Sequence, residues 1–238
     1  MQIEAIRTSL VCHKQPLTEF VGAHLQNISD NDILVITSKV VSICEGRTVS
    51  KEAVTKDELV RREADKIVPN PHAVDKRVVL TLKDNMLLPS AGIDESNANN
   101  TYVMYPTDSF ASARSLWSFL REKYHLKRVG VLITDSRTTP LRRGVTGIAL
   151  AWWGFSPLWS YVGQRDLFDR VLSMTCINVV DALATSAVFE MGEGNECTPL
   201  AIIKNARRVN FDECSHDAQE VKISMEEDLY RPLLEPLL

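Results

Sequence analysis

Residues 110–135, FASARSLWSFLREKYHLKRVGVLITD, decide the fold class because two hydrophobic periods meet inside them. Phe110, Ala113, Trp117, Leu120 and Tyr124 step by 3, 4, 3 and 4, which lines one face of an α-helix over 110–124. Asp108 or Ser109 stands where a side-chain cap for that helix belongs. Just beyond it, Val129–Thr134 (VGVLIT) is a short, continuous apolar run ending at Asp135, the pattern of a strand buried on both faces. A helix followed at once by a buried strand implies a mixed α/β protein.

The flanking sequence repeats that alternation. Ile33–Thr37 (ILVIT) follows the turn-like SDND and reads as a second buried strand, with Val40–Ile43 continuing or kinking it. Lys56–Val68 reads as a helix with Val60, Ala64 and Ile67 on one face, and Val78–Leu82 as a strand. Gly144–Ala151 is small and apolar and leads into Trp152 and Trp153, whereas Arg165–Arg170 is a polar turn. Val179–Phe189 reads as an alanine-rich helix broken by Gly192 and Gly194, and Pro199–Ile203 as a late strand. From Asn210 the chain is acidic and ends in YRPLLEPLL. No repeat and no Gly/Ser linker divides it, so residues 1–238 read as one unit, or as two interleaved subdomains without a clean boundary.

Composition narrows the function classes. With 238 residues and 45% hydrophobic content, the chain can bury a core without disulfide or metal staples. The net charge of −4, from 27 basic and 31 acidic residues, offers no bulk basic surface, so neither nucleic acid nor a membrane is expected as a partner. No apolar run approaches the roughly 18–20 residues of a membrane span. The stretch MQIEAIRTSL, with Glu4 near its start, does not read as a signal peptide, and a cytoplasmic protein is expected. Cys12, Cys44, Cys176, Cys197 and Cys214 form no CxxC pair, and His13, His24, His72, His125 and His216 no HxxxH spacing. Free thiols and no zinc site are the expectation.

Several segments break the globular pattern. Ala91–Asn97 (AGIDESN) holds a glycine, two carboxylates and an amide without any amphipathic period. Asp135 and Ser136 stand at the carboxyl end of a buried strand, where α/β sheets place ligand-binding groups. Arg142, Arg143 and Gly144 follow, and Met191–Glu196 (MGEGNE) is a glycine-flanked acidic turn after a helix. Asp94, Asp135, Glu193 and the Ser136 hydroxyl are hard oxygen donors of the kind Mg²⁺ and Mn²⁺ prefer, and arginine is a planar donor for phosphate oxygens. This inventory suits metal-dependent phosphoryl chemistry on a nucleotide, although neither GxxxxGK[ST] nor GxGxxG is present. Taken singly, each segment also fits an ordinary turn: a strand-end cap, a solvated arginine pair, a helix C-cap.

Read in order, DILVITSKVVSICEGR (32–47), AGIDESN (91–97), ITDS…LRRGVTGIAL (133–150), GQRDLFDR (163–170) and MGEGNECTPLAII (191–203) resemble the coenzyme F420-0:gamma-glutamyl ligase family over nearly the whole chain. The resemblance implies a mixed α/β fold, an intertwined homodimer, and an enzyme that joins L-glutamate to a carboxylate of a deazaflavin precursor. It also implies GTP as co-substrate, two divalent ions (Mg²⁺ or Mn²⁺), and K⁺ as a further candidate ion. Carried over residue by residue, it gives Asp94 and Asp135 to one ion and Ser136 with Glu193 to a second. Asn97, the turn containing Met191, Gly192, Gly194 and Asn195, and Ser38 with Lys39 would contact the nucleotide. Arg142 or Arg143 would act on the transferring phosphoryl group.

Three departures from the family pattern stand out. Leu10–Leu17 (LVCHKQPL) replaces a GLPLI-like segment. Ile43 replaces a lysine in the word VVSKAEGR, leaving Lys39 as the nearby ammonium. Arg137-Thr138-Thr139 replaces an Asn-Gly-Arg. These bear on the nucleotide (GTP or ATP) and the acceptor more than on the acidic set. They motivate two alternatives: a folate glutamate ligase, with Trp152 and Trp153 either stacking on the pterin or packing in a core, and a non-catalytic nucleotide- and metal-binding homologue.

Overall fold

The computed structural model describes residues 1–69 and 78–235; His72 and the end of the YRPLLEPLL tail lie outside them. Along the chain run β1 (Gln2–Ile6), α1 (Leu17–His24), β2 (Asp32–Thr37), α2 (Ser38–Glu45), β3 (Thr48–Ser50), α3 (Lys56–Glu63), β4 (Lys66–Ile67), β5 (Leu80–Lys83) and β6 (Met86–Pro89). They are followed by β7 (Thr101–Val103), α4 (Ser109–Tyr124), β8 (Val129–Thr138), β9 (Val145–Trp153), β10 (Leu158–Ser160), β11 (Cys176–Asn178), α5 (Val179–Met191), β12 (Leu200–Lys204) and α6 (Arg231–Leu234). The mixed α/β architecture read from the sequence is the one observed.

The main sheet has the order β1-β12-β2-β8-β9, and only β2 and β8 pair in parallel, from Asp32↔Val129 to Thr37↔Thr134. Because strand side chains alternate faces, each central strand feeds two cores. Leu34, Ile36, Val131, Ile133, Leu200 and Ile202 meet Phe20, Val41, Leu116 and Leu120 from α1, α2 and α4. Ile33, Val35, Leu132, Ala201 and Ile203 meet Val180, Leu183, Ala184 and Ala187 of α5 on the other side. The continuous apolar runs are therefore what a sheet covered by helices on both faces requires. A third, smaller core gathers Leu59, Val60, Ile93, Tyr102 and Met104 beneath the loop that carries Asp94.

Helix α4 starts where the sequence places it: the Asp108 carboxylate accepts from the Ala111 N–H at 2.8 Å. Two elements differ from expectation. Val40–Ile43 is helical, because the β2–β8 ladder ends at Thr37 and Gly46, at φ +74°, closes α2 with its N–H on the Ser42 and Ile43 carbonyls. Helix α3 opens with a full capping box between Thr55 and Glu58 but stops at Glu63. Residues beyond it leave for a sheet instead: the Asp65 N–H bonds the Leu82 carbonyl, and Lys66 and Ile67 pair with Leu82 and Thr81.

Trp152 and Trp153 both pack in the interior. Trp152 is buried with its ring edge-on to Phe110 at 5.0 Å, and Trp153 meets His216 edge-on at 5.7 Å. Of the two roles considered for this pair, stacking on a pterin or packing in a core, the structure shows packing. Among the described residues, no helix is long and apolar enough to cross a membrane.

Candidate functional site

The parallel ladder between β2 and β8 ends at the pair Thr37↔Thr134, and a cavity of about 270 Å³ opens beyond it. A crevice outside the carboxyl ends of parallel strands is where an α/β sheet exposes polar groups without disturbing its core. The chain enters α2 there without any intervening loop, so the first turn of that helix, including Lys39, borders the cavity. The Thr134 hydroxyl on the wall is buried and has no hydrogen-bond partner among the described residues.

Strand β8 carries Asp135 and Ser136 into this crevice past a defect in its ladder. Ile133 pairs with Ala151 but Thr134 with Ala149, so Leu150 is the extra residue of a β-bulge one position before the carboxylate. The bulged strand is β9, opposite the carboxylate, and bulges recur beside functional sites.

The acidic groups arrive from three elements. Burial pushes the Asp135 carboxyl up to about 6, even though the Tyr105 hydroxyl and the Ser136 N–H bond its ionised form; the charges of Asp94 and Glu193 raise it further. Glu193 is raised as well, chiefly by burial and in part by Asp94, against the pull of the Lys39 charge and the Ser136 hydroxyl. Asp94 behaves in the opposite way. Burial opposes its ionisation, but hydrogen bonds from Lys39 and Ser96 outweigh burial and hold the carboxyl below its ordinary value. Lys39 Nζ lies 2.6 Å from Asp94 Oδ2 and donates to the Ser96 carbonyl and Oγ, both at 3.1 Å. The Ser96 N–H and hydroxyl donate in turn to Asp94 Oδ1, at 2.7 and 2.8 Å.

The glycine-rich turn follows α5. Gly192 leaves the helix at φ +78°, and the Gly194 N–H donates to the Glu196 carboxylate at 2.8 Å. Asn97, itself at φ +51°, ties the acidic loop to this turn by donating to the Gly194 carbonyl at 2.9 Å. Cavity and turn are joined on the other side by the Thr198 hydroxyl, which donates to the Met191 carbonyl.

Of the residues singled out in the sequence, Lys39, Asp94, Asn97, Asp135, Ser136, Met191, Gly192, Glu193, Gly194 and Asn195 all line the one cavity. Ser38 does not line it and is buried in the first turn of α2. Arg142 and Arg143 are exposed in the β8–β9 turn and lie outside the cavity of their own chain, because β8 runs on to Thr138 and carries them away. Ile43 lines the wall beside Val40, so this side of the cavity is apolar and Lys39 brings the ammonium. Sequence reading missed Tyr105; Thr134 and Glu196 stood within the segments it singled out but were given no role. Glu196 was legible as an acid in a glycine turn, whereas Tyr105 sits in an apolar run with nothing to mark its hydroxyl.

The donors suit a hard divalent ion, since all are oxygen and three are carboxylates. Among the described residues, no three His, Cys, Asp or Glu side chains stand as a closed ligand cluster. The place of a cation beside Asp94 is taken by the Lys39 ammonium.

Residues 5–205 match the family described as F420-0:gamma-glutamyl ligase. The chain is similar to proteins named coenzyme F420:L-glutamate ligase from several archaea. It is 31% identical to that of Methanococcus maripaludis strain S2, over 86% of each chain. It is 32% identical to that of Methanopyrus kandleri, over 78% of this chain and 79% of the relative. With the Methanocaldococcus jannaschii protein it shares 35% identity over 75% of this chain and 77% of the relative.

Proposed function

Because the chain belongs to the F420-0:gamma-glutamyl ligase family, we propose that it is a ligase forming an amide between L-glutamate and a carboxylate of a deazaflavin coenzyme precursor, with GTP as the energy source. The observation that carries the reading is the convergence of Asp94, Asp135, Ser136, Glu193 and Lys39 with a helix start and a glycine turn on one cavity. A carboxylate is a poor acyl donor, so it must first be activated. One of its oxygens attacks the γ-phosphorus of GTP, the bond to the bridging oxygen breaks, and GDP leaves. The glutamate amine, having lost a proton, then attacks the acyl carbon, and phosphate departs with the acceptor's oxygen.

The roles of the residues follow from their positions. Backbone N–H groups at the start of α2 and in the Gly192–Asn195 turn suit phosphate oxygens, and the Lys39 ammonium adds a point charge. Asp94, Asp135, Ser136 and Glu193 would hold Mg²⁺ or Mn²⁺, which would supply charge neutralisation of the phosphates. The unpartnered Thr134 hydroxyl is a further donor for an oxygen of the bound substrate. Asn97 holds the acidic loop against the glycine turn. The Asn97→Ala variant is therefore expected to raise the KM for GTP about fivefold to tenfold, the equivalent of one hydrogen bond of about 1 kcal/mol, and to lower the melting temperature by about 2–4 °C, because alanine at φ +51° costs roughly 1 kcal/mol. Steady-state kinetics beside a thermal melt check both.

We place the protein in a homodimer, for which two projecting segments offer apolar surface: Leu141 and Val145 at the β8–β9 turn, and Leu167, Phe168 and Met174, each more than 80% exposed, between β10 and β11. The chemistry itself is tested with an acceptor labelled with ¹⁸O in its carboxylate. One labelled oxygen in the released phosphate is expected; unlabelled phosphate with product formed would rule out the acyl phosphate.

A further inference from the structure

The polar side chains of the cavity are paired with one another in a particular way. The strongest cation in it, Lys39 Nζ, sits 2.6 Å from Asp94 and carries its charge to Glu193 as well. The one backbone donor of the glycine turn bonded to a carboxylate, the Gly194 N–H, is held by Glu196 at 2.8 Å, and that carboxylate lies against the face of Gly192 where a Cβ would come within 2.6 Å of it. One contact puts an ammonium where a metal ion would meet Asp94, and the other puts carboxylate oxygens where phosphate oxygens would meet the turn.

From these contacts we propose that Lys39 and Glu196 are built-in counter-ions, and that the site takes divalent metal and nucleotide as one chelate rather than either alone. This rests on the nucleotide- and metal-dependent reading above. A free metal ion approaching Asp94 must displace an ammonium already hydrogen-bonded there and to Ser96, and the displaced charge is left near a cation. A free nucleotide must displace Glu196 and then stand beside Asp94, Asp135 and Glu193 without compensation. Together the two ligands resolve both conflicts. The ion takes the carboxylates, Lys39 turns to the phosphates, and Glu196 gives up the turn to them. Coupling of this kind is reciprocal, so each ligand tightens the other by the same factor.

The test is Mn²⁺ binding by electron paramagnetic resonance to the wild type, Lys39→Met and Glu196→Gln, each with and without GDP, together with titration calorimetry of metal-free GDP in chelator. For the wild type, Mn²⁺ is expected to bind weakly alone and at least tenfold more tightly with GDP. Lys39→Met is expected to bind Mn²⁺ alone about tenfold more tightly than the wild type and to lose most of the GDP effect. Glu196→Gln, whose side chain is exposed and whose loss does not threaten folding, is expected to leave Mn²⁺ alone unchanged and to bind metal-free GDP several-fold more tightly. The inference is overturned if the wild type binds Mn²⁺ with GDP but both variants match it in every arm. Absence of Mn²⁺ binding in the wild type even with GDP would instead overturn the metal-dependent reading on which the inference rests.

Discussion

Asp135→Asn is expected to reduce glutamate-adding turnover by at least about 10²-fold and, in the same protein, to raise the stability of the ligand-free state. The two effects have one cause. A carboxyl pushed up to about 6 in the folded protein but ordinary in the unfolded chain makes the native state hold a proton that the unfolded state has released. Stability therefore falls as the pH rises from about 4 to about 6, and the whole cost persists above 6. At pH 7 that cost is about 3 kcal/mol, and an uncharged amide of the same shape does not bear it. For a chain of this length it corresponds to a melting temperature higher by about 6–12 °C. Thermal melts of both proteins from pH 4 to pH 8, in chelator, measure it: the curves should lie close together at low pH and separate through pH 6. Equal curves at pH 7 would mean that Asp135 is not destabilised by its surroundings. A site that costs stability until its ligands arrive is a familiar trade between stability and activity.

The second large effect is on the fold, at a residue outside the cavity. A Cβ on Gly147 would lie 2.4 Å from the Ala184 carbonyl oxygen and 2.8 Å from the Thr185 nitrogen, both in the backbone of α5. That closeness is used: the Thr185 hydroxyl donates to the Gly147 carbonyl at 2.9 Å, and the Ala149 N–H donates to Asp181 at 3.0 Å. A helix backbone cannot step aside as a flexible side chain can. Gly147→Ala is therefore expected to cost about 3 kcal/mol or more, a fall in melting temperature of at least about 6 °C. Because α5 delivers the Gly192–Glu196 turn, the surviving folded protein should also bind nucleotide less well. A melt within 1–2 °C of the wild type would show that α5 and β9 are less tightly seated than their contacts imply.

How much of this was legible in the sequence depends on which force decides each element. ILVIT, VGVLIT and PLAII are strands because uninterrupted apolar runs fit only a sheet covered on both faces, and the 3,4,3,4 spacing after Asp108 admits only a helix. Val40–Ile43 misled because β-branched residues favour strands. The helix there is decided by where the β2–β8 ladder stops, by Gly46 at its end and by burial of Val40 and Val41. Helix α3 was read too long for a similar reason: pairing with β5 is a long-range event with no local trace.

For the site, the acidic words could be recognised one by one, yet their meeting is a property of the topology. Asp94 comes from a loop over the outlying core, Asp135 from β8 just past the end of its pairing with β2, and Glu193 from beyond α5. Lys39 was noted beside the missing lysine at Ile43, but that its ammonium lies on Asp94 follows only from placing α2 directly after β2. Arg142 and Arg143 looked close to Asp135 in sequence, and the extra length of β8 separates them in space.

The account stands most directly on whether this protein makes the amide. Purified protein is incubated with GTP, Mn²⁺, L-glutamate and the F420-0 deazaflavin acceptor, with a reduced folate in a parallel reaction, and the products are read by mass spectrometry. The account predicts that the deazaflavin gains a glutamyl residue, only when nucleotide and metal are both present, and that folate is unchanged. No gain on the deazaflavin under any of these conditions, or a gain on folate alone, would contradict it.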